Sequence, residues 1–236
     1  MNIAGKTVAS LSAIALLSVA AHAQVSLNEI YINPPGTDNG VEFVEVRTAA
    51  PSFSLDSYWF VGIEGDGAAA GTVDFAYNLS TYSSGANGYL LIRDAATALV
   101  PAPDAATSVV TQDFNPDIEN GSTTFLLVRN FTGTVGQDLD AENDGIAETA
   151  PWASVADGIS LIENDGAANV GYAAQFGYVL FDAQPSFNAD SLYRLDDGRW
   201  AGSDTLGTAP GSFALDSTRA AVVGQGLTEL QGTLTP

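Results

Sequence analysis

The chain has 236 residues, and its 28 acidic residues against seven lysines and arginines give a formal net charge of −21 at pH 7. It contains no cysteine, which excludes a disulfide framework and thiolate-ligated metal sites. A charge of this sign repels nucleic-acid phosphates and anionic lipid headgroups while attracting divalent cations, so the composition argues against a nucleic-acid partner.

Residues 1–23 predict a cleaved secretory signal. They contain a lysine near the start, a short apolar stretch from Val8 to about Ala20, and a small-residue exit at Ala21 and Ala23, as such signals do. The apolar stretch is shorter than the ~20 residues that a membrane-spanning helix needs. We therefore expect an exported protein, secreted, periplasmic or at the cell surface, without membrane insertion. An N-terminal anchor helix is the alternative interpretation.

Cleavage after Ala23 limits the chemistry of the mature chain. Lys6, His22 and Met1 would all be removed, which leaves six arginines against 28 acids and a formal charge of −22. Catalysis through histidine-activated nucleophiles or Schiff-base lysines is then excluded, as is zinc held by histidine or cysteine. Carboxylate chemistry remains, either glycoside hydrolysis by a pair of acids or metal catalysis with oxygen ligands.

The rest of the chain predicts strands and turns. Short runs rich in Val, Ile, Leu, Phe and Tyr are each bounded by Gly, Asn, Asp, Pro or Ser, which is typical of strands. Eight or more strands without the spacing of βαβ units predict an all-β, antiparallel sandwich. In chain order the predicted strands are 25–32, 41–47, 57–63, 88–93, 122–131, 158–163, 176–181 and 190–195.

Two patches at opposite ends of this region resemble the lamin tail domain family. LNEIYINPPGTDNGVEFVEV (27–46) resembles the family's opening two strands, and LDSYWFVG (55–62) resembles its third strand. SLYRLDDGRW (191–200), followed by TAPGSFA (208–214), is similar to its closing hairpin and exit.

The resemblance implies an immunoglobulin-like β-sandwich over residues 24–214, with an enlarged central insertion at about 65–185. It implies no catalytic activity for the domain itself, which in exported bacterial proteins often accompanies nucleases, phosphatases or surface modules. Residues 215–236 are polar and predict a C-terminal tail or a last strand.

The run DLDAENDGIAE (138–148) predicts a calcium loop. Its acids alternate along the chain and a glycine follows them, so that carboxylates of a curled loop can converge on one ion. An EF-hand is excluded because its position 12 is Pro151 and no helices flank the run. The alternative is that these acids are merely solvated. The predicted ligands are Asp140, Glu142, Asp144, the carbonyl of Ile146, and Glu148.

Together these patterns predict an exported, non-enzymatic module with a structural calcium ion. We expect a monomer that binds an extracellular protein or polysaccharide at a surface or in a matrix. The alternative is a carboxylate-dependent extracellular hydrolase, or the accessory domain of a separate nuclease or phosphatase. A glycosidase would need two acids about 5–10 Å apart in a cleft.

Overall fold

The computed structural model describes residues 24–36, 40–97, 102–118, 120–163, 169–183, 187–209, 212–223 and 226–227. The predicted signal segment 1–23 lies outside the described residues. Of the described residues, 43% lie in strands and 4% in helices, and two sheets pack as a sandwich; the predicted all-β sandwich is confirmed. Among the described residues, no helix is long and apolar enough to span a membrane.

Thirteen strands lie within the described part of the chain. Two short 3-10 helices, Gly67–Ala69 and Ala173–Phe176, interrupt them. In chain order the strands are β1 (Val25–Tyr31), β2 (Phe43–Thr48), β3 (Tyr58–Glu64), β4 (Val73–Asn78), β5 (Tyr89–Arg93), β6 (Ser108–Thr111), β7 (Thr123–Arg129), β8 (Ser154–Ile162), β9 (Val179–Asp182), β10 (Ser191–Arg194), β11 (Trp200–Leu206), β12 (Ala214–Val222) and β13 (Gly226–Leu227).

The larger sheet has the strand order β13-β12-β11-β10-β1-β2-β5-β6, and the smaller has β4-β3-β7-β8-β9. Two pairs depart from the antiparallel pattern expected from the sequence, since β5–β6 and β8–β9 are parallel. Each of these pairs is joined by a long crossover connection, which parallel strands require. The central stretch at about 65–185 supplies four of the five strands of the smaller sheet.

The main core lies between the facing sides of the two sheets. Phe60, Phe75 and Phe125 of the smaller sheet are fully buried, with the Phe60 ring centroid 5.1 Å from that of Phe75 and 6.1 Å from that of Phe125. Ile30 and Val44 of the larger sheet belong to the same apolar cluster. Burying each such side chain contributes roughly 1.5–3 kcal/mol, so this core stabilises the sandwich without disulfides.

A second apolar cluster lies on the opposite face of the smaller sheet. Residues 130–153, which connect β7 to β8 and which we name the cover loop, lie across this face. Leu139 and Ala147 of the cover loop are 1% and 6% exposed and belong to one cluster with Leu126 of β7. The cover loop, which contains the acidic run, is therefore fastened to the sheet by buried apolar contacts.

Candidate cation site in the cover loop

The cover loop first runs beside the start of β4. The amide of Val73 donates to the carbonyl of Gln137 at 2.9 Å, and the amide of Gly136 donates to the carbonyl of Val73 at 2.8 Å. The amide of Leu139 then donates to the carbonyl of Gly71 at 2.9 Å. These bonds satisfy backbone groups at the edge of the smaller sheet, and they fix the point from which the acidic residues project.

The ends of the acidic run are held together. The amide of Glu148 donates to the carbonyl of Leu139 at 2.8 Å, so residues 139–148 form a closed loop. Ala147 is clamped at the same end by Gln175, whose amide group both donates to and accepts from its backbone at 2.8 Å. The loop is therefore constrained by a backbone bond between its ends and by the side chain of Gln175.

Asp140 is the buried centre of this loop. Its Oδ1 accepts the amide of Asp144 at 3.1 Å, and its Oδ2 accepts the amide of Gly145 and the hydroxyl of Tyr172, both at 2.8 Å. Burial would raise the pKa of Asp140, but the hydrogen bonds from Tyr172 and the loop amides outweigh it and hold the pKa below its ordinary value. The carboxylate is therefore ionised at neutral pH.

Three of the acids predicted as ligands converge. Carboxylate oxygens of Asp140, Glu142 and Glu148 all lie within 4.8 Å of one another, with Asp140 buried and the other two exposed. Glu148 is oriented by the amide of Ala141, which donates to its Oε2 at 3.1 Å. Three negative charges at this separation repel one another, so the arrangement favours a cation between them.

The donor set consists of carboxylate oxygens, the type of ligand that calcium and magnesium ions take. Calcium takes six to eight oxygen ligands in flexible geometry, and carboxylates with water molecules can supply them. Asp140 Oδ1 accepts one hydrogen bond, which leaves it a lone pair for an ion. The ion pairs found among the described residues belong to Arg194, Arg199 and Arg219, so none of them neutralises the loop.

Two other predicted ligands lie outside this group of carboxylates. Asp144 directs its Oδ1 at the amide of Ile146, which donates to it at 3.0 Å. The side chain of Ile146 is 57% exposed. Asp138 makes the same kind of turn, since its Oδ1 accepts the amide of Asp140 at 3.0 Å. A short acid that bonds its own backbone two residues on shapes a turn, and the ligand roles of Asp144 and Ile146 stay predictions.

The sequence did not indicate the residues that support Asp140 from elsewhere in the chain. Gln175 lies in the 3-10 helix Ala173–Phe176 that precedes β9, and Tyr172 lies directly before this helix. Both residues are about thirty positions from Asp140 in the sequence. Gly71 has a φ of +86°, and a Cβ at this position would lie 2.5 Å from the Cβ of Asp140. No spacing links these positions to the acidic run, so the tertiary fold alone reveals them.

A second pair of acids lies in the larger sheet. Glu29 and Glu45 are directly opposite each other on β1 and β2 and are only 4% and 1% exposed. Burial, with the neighbouring Glu45 adding to it, raises the pKa of Glu29 to about 8, and burial raises the pKa of Glu45 to about 7. Raised carboxyl pKa values are typical of acid catalysts, but a polymeric substrate cannot reach side chains as buried as these.

Comparison with protein-family models, with characterised proteins and with solved structures finds no match to this chain. The resemblance to the lamin tail domain therefore stays a prediction from short motifs.

Proposed function

We propose that this protein is an exported, non-enzymatic β-sandwich of the lamin-tail type that serves as a binding module at a surface or in a matrix, and that calcium fastens its cover loop. The observation that carries the calcium site is the convergence of Asp140, Glu142 and Glu148 within 4.8 Å. The carboxylates come from both ends of a loop that is already closed by backbone bonds.

The ion would have a structural role. It would offset the repulsion among the three carboxylates, and it would link exposed Glu142 and Glu148 to buried Asp140. Because Leu139 and Ala147 at the two ends of the acidic run are part of the second apolar cluster, holding the run also holds the cover over that cluster. A chain without cysteine has no disulfide for this purpose.

The positions of the acids support a binding role rather than hydrolysis. Glu29 and Glu45 are buried, and both carboxylate oxygens of Asp157 accept bonds from Arg194 at 2.6 Å. A glycosidase needs two accessible acids with distinct protonation states. These three buried acids do not provide the accessible pair that the alternative of a carboxylate-dependent hydrolase requires. The other alternative is the accessory domain of a separate nuclease or phosphatase.

Thermal unfolding tests the calcium site. An ion that binds the folded state alone adds about 2.7 kcal/mol at one hundred times its dissociation constant, which for a chain of this size raises the midpoint by about 5–10 °C. We expect this rise with calcium after treatment with a chelator, and a smaller rise with magnesium because it demands stricter octahedral geometry.

Glu142→Gln is the variant of choice, because Glu142 is exposed and its loss should leave the loop's own hydrogen bonds intact. We expect it to reduce or abolish the calcium-dependent rise. Asp56→Asn, which removes one charge from an exposed site on another loop, is the matched control and should keep the full rise. An equal midpoint with chelator and with calcium would contradict the proposal.

A further inference from the structure

The smaller sheet ends in an exposed strand, β9. This strand pairs in parallel with β8 on one side, and no strand of the described residues pairs with its other side. Val179 and Leu180 at its start are each 39% exposed. Edge strands are commonly protected by lysine, proline or a bulge, whereas β9 has the sequence VLFD. It therefore presents a sheet edge that a further strand can extend.

The two faces of β9 have different neighbours. Phe181 is buried in the main core, and a Cβ at Gly202 of β11 would lie 2.5 Å from its ring. Because side chains alternate along a strand, Val179 points to the same side as Phe181, toward the larger sheet, and Leu180 points to the opposite side. The larger sheet continues past β11 with β12 and β13. A strand added to β9 would therefore lie over the larger sheet, beyond the last strand of the smaller one.

A cavity of about 240 Å³ lies at the start of β9. Tyr178 and Val179 line one side of it, and Trp200 of β11 and Val223, which directly follows β12, line the other. Its volume lies below the about 300–1,000 Å³ of sites that hold whole small molecules. The cavity is therefore of a size for one large side chain of a segment that runs alongside β9.

The charges around this cavity do not favour an anion. Both arginines that line it, Arg194 and Arg199, are paired with aspartates. A groove of about 620 Å³ adjoins the cavity, and Arg47 and Asp196 in its lining carry opposite charges. Because the local charges balance, the cavity suits an uncharged side chain. The net charge of −21 on the whole chain attracts a partner of positive charge from a distance.

We propose that β9 binds an extended segment of a partner protein as an additional strand. The backbone of the segment pairs with β9, one large apolar side chain enters the cavity between Val179 and Trp200, and positively charged residues flank it. In strand addition, main-chain hydrogen bonds give affinity and pockets for alternate side chains give specificity. This inference rests on the proposed binding function and names its class of partner. It does not depend on the calcium site, since no residue of the cover loop lines the cavity.

The capped peptide acetyl-Arg-Thr-Val-Phe-Val-Thr-Arg-amide is a suitable probe, because it presents the same order of side chains in parallel and in antiparallel pairing. Its phenylalanine faces the cavity when its two valines lie on the side of Leu180. We expect binding in calorimetry, a change in the fluorescence of Trp200, and slower amide hydrogen exchange across residues 179–182. The slower exchange reports pairing with β9, because filling the cavity alone would not protect these amides.

Three altered peptides separate the contributions to binding. Serine in place of the phenylalanine should raise the dissociation constant about tenfold or more, because it removes the apolar side chain that the cavity buries. N-methylation of the three central residues keeps every side chain but removes backbone donors, and it should raise the dissociation constant by a similar factor. Glutamate in place of both arginines should also weaken binding, because the acidic chain repels it.

Val179→Lys tests the strand edge in the protein itself. An inward-pointing charge on an edge strand blocks further pairing, so we expect this variant not to bind the peptide. Val109→Lys is the matched control, because Val109 lies on β6, the edge strand that pairs in parallel with β5, and is 42% exposed. It should keep the affinity of the unmodified protein. Equal thermal midpoints of the two variants would show that the fold is intact.

Four results would each overturn the proposal. Absence of heat and of slower exchange at millimolar peptide would reject the class of partner, and a calcium-dependent rise in midpoint in the same preparation would leave the proposed function standing. Binding without slower exchange across β9 would reject strand addition. Equal affinity for the serine peptide would reject the cavity as the place of the apolar side chain. Dimerisation of the protein that Val179→Lys abolishes would assign the edge to a second copy of the chain.

Discussion

At Asp140, a buried carboxylate is held ionised by three donors that belong to different parts of the chain. Two are loop amides, and the third is the hydroxyl of Tyr172. A group whose pKa is lowered on folding contributes stability that is present above its unfolded pKa and is lost as the pH falls through its folded pKa. Asp140 therefore stabilises the loop at neutral pH whether or not an ion is bound.

Tyr172→Phe tests this contribution. The variant removes the hydroxyl donor while keeping the buried ring, and hydrogen bonds to charged groups contribute about 1.5–3 kcal/mol. We expect the free energy of unfolding by urea to fall by this amount at pH 7. The difference should become smaller as the pH falls below about 4, the ordinary pKa of an unfolded aspartate, and then through the lowered folded pKa of Asp140. Tyr82→Phe removes a hydroxyl that donates to neutral Gln112. It should lower the free energy of unfolding by less, and that decrease should not depend on pH in this way.

At the scale of the element, the cover loop has no regular strand or helix and yet has a fixed position. Backbone bonds attach it to the start of β4, and Leu139 and Ala147 anchor it in the second apolar cluster. Loops held by few buried contacts open easily. The two anchors lie at the two ends of the acidic run, so they determine whether its carboxylates can meet.

Leu139→Ala should weaken the attachment of the cover loop to the smaller sheet. Truncation of a buried leucine costs about 2–5 kcal/mol, depending on how the cavity relaxes. We expect the free energy of unfolding to fall by an amount in that range, and we expect faster amide hydrogen exchange across residues 136–149. Val135→Ala, at a position in the same loop that is 52% exposed, should change stability by less than about 0.5 kcal/mol. Equal effects of the two variants would show that Leu139 is not an anchor.

At the scale of the whole molecule, one salt bridge and one pair of buried acids affect the stability of the sandwich. The Asp157–Arg194 pair joins β8 of the smaller sheet to β10 of the larger sheet. The facing acids Glu29 and Glu45 lie within the larger sheet and have raised pKa values of about 8 and 7. Acids that bind protons more tightly when folded stabilise the protein below their unfolded pKa, and this stability is lost as the pH rises through the folded pKa.

Glu29→Gln should change the pH profile of the whole fold. In the unmodified protein we expect stability to fall between about pH 5 and pH 8 as this pair ionises. The neutral amide removes one ionisation. The free energy of unfolding of the variant, relative to that of the unmodified protein, should therefore increase by on the order of 1 kcal/mol or more from pH 5 to pH 8. Thermal unfolding at both pH values measures the difference, and Asp56→Asn controls for the loss of one surface charge.

Local patterns predicted a good part of this structure. Runs of β-branched and aromatic residues located β1, β2, β3, β5, β7, β8 and β10, since alternation along a strand is a property of the sequence itself. Alternating acids before a glycine identified the run 138–148, and Asp140, Glu142 and Glu148 of that run do converge. No local sequence pattern predicted β6, which is only four residues long and is partly exposed to solvent.

What the sequence by itself determined is therefore the all-β class, the acidic charge and the position of the acidic run, because composition and nearest-neighbour spacing are local. The tertiary structure decided which groups meet across distance. It placed Tyr172 on Asp140, and it gathered Arg47, Tyr178 and Asp196 around one groove. A shift of register between Leu27 and Glu29 set Glu29 opposite Glu45. Each of these contacts depends on strand order and register, which arise from packing the two sheets and not from the spacing of residues along the chain.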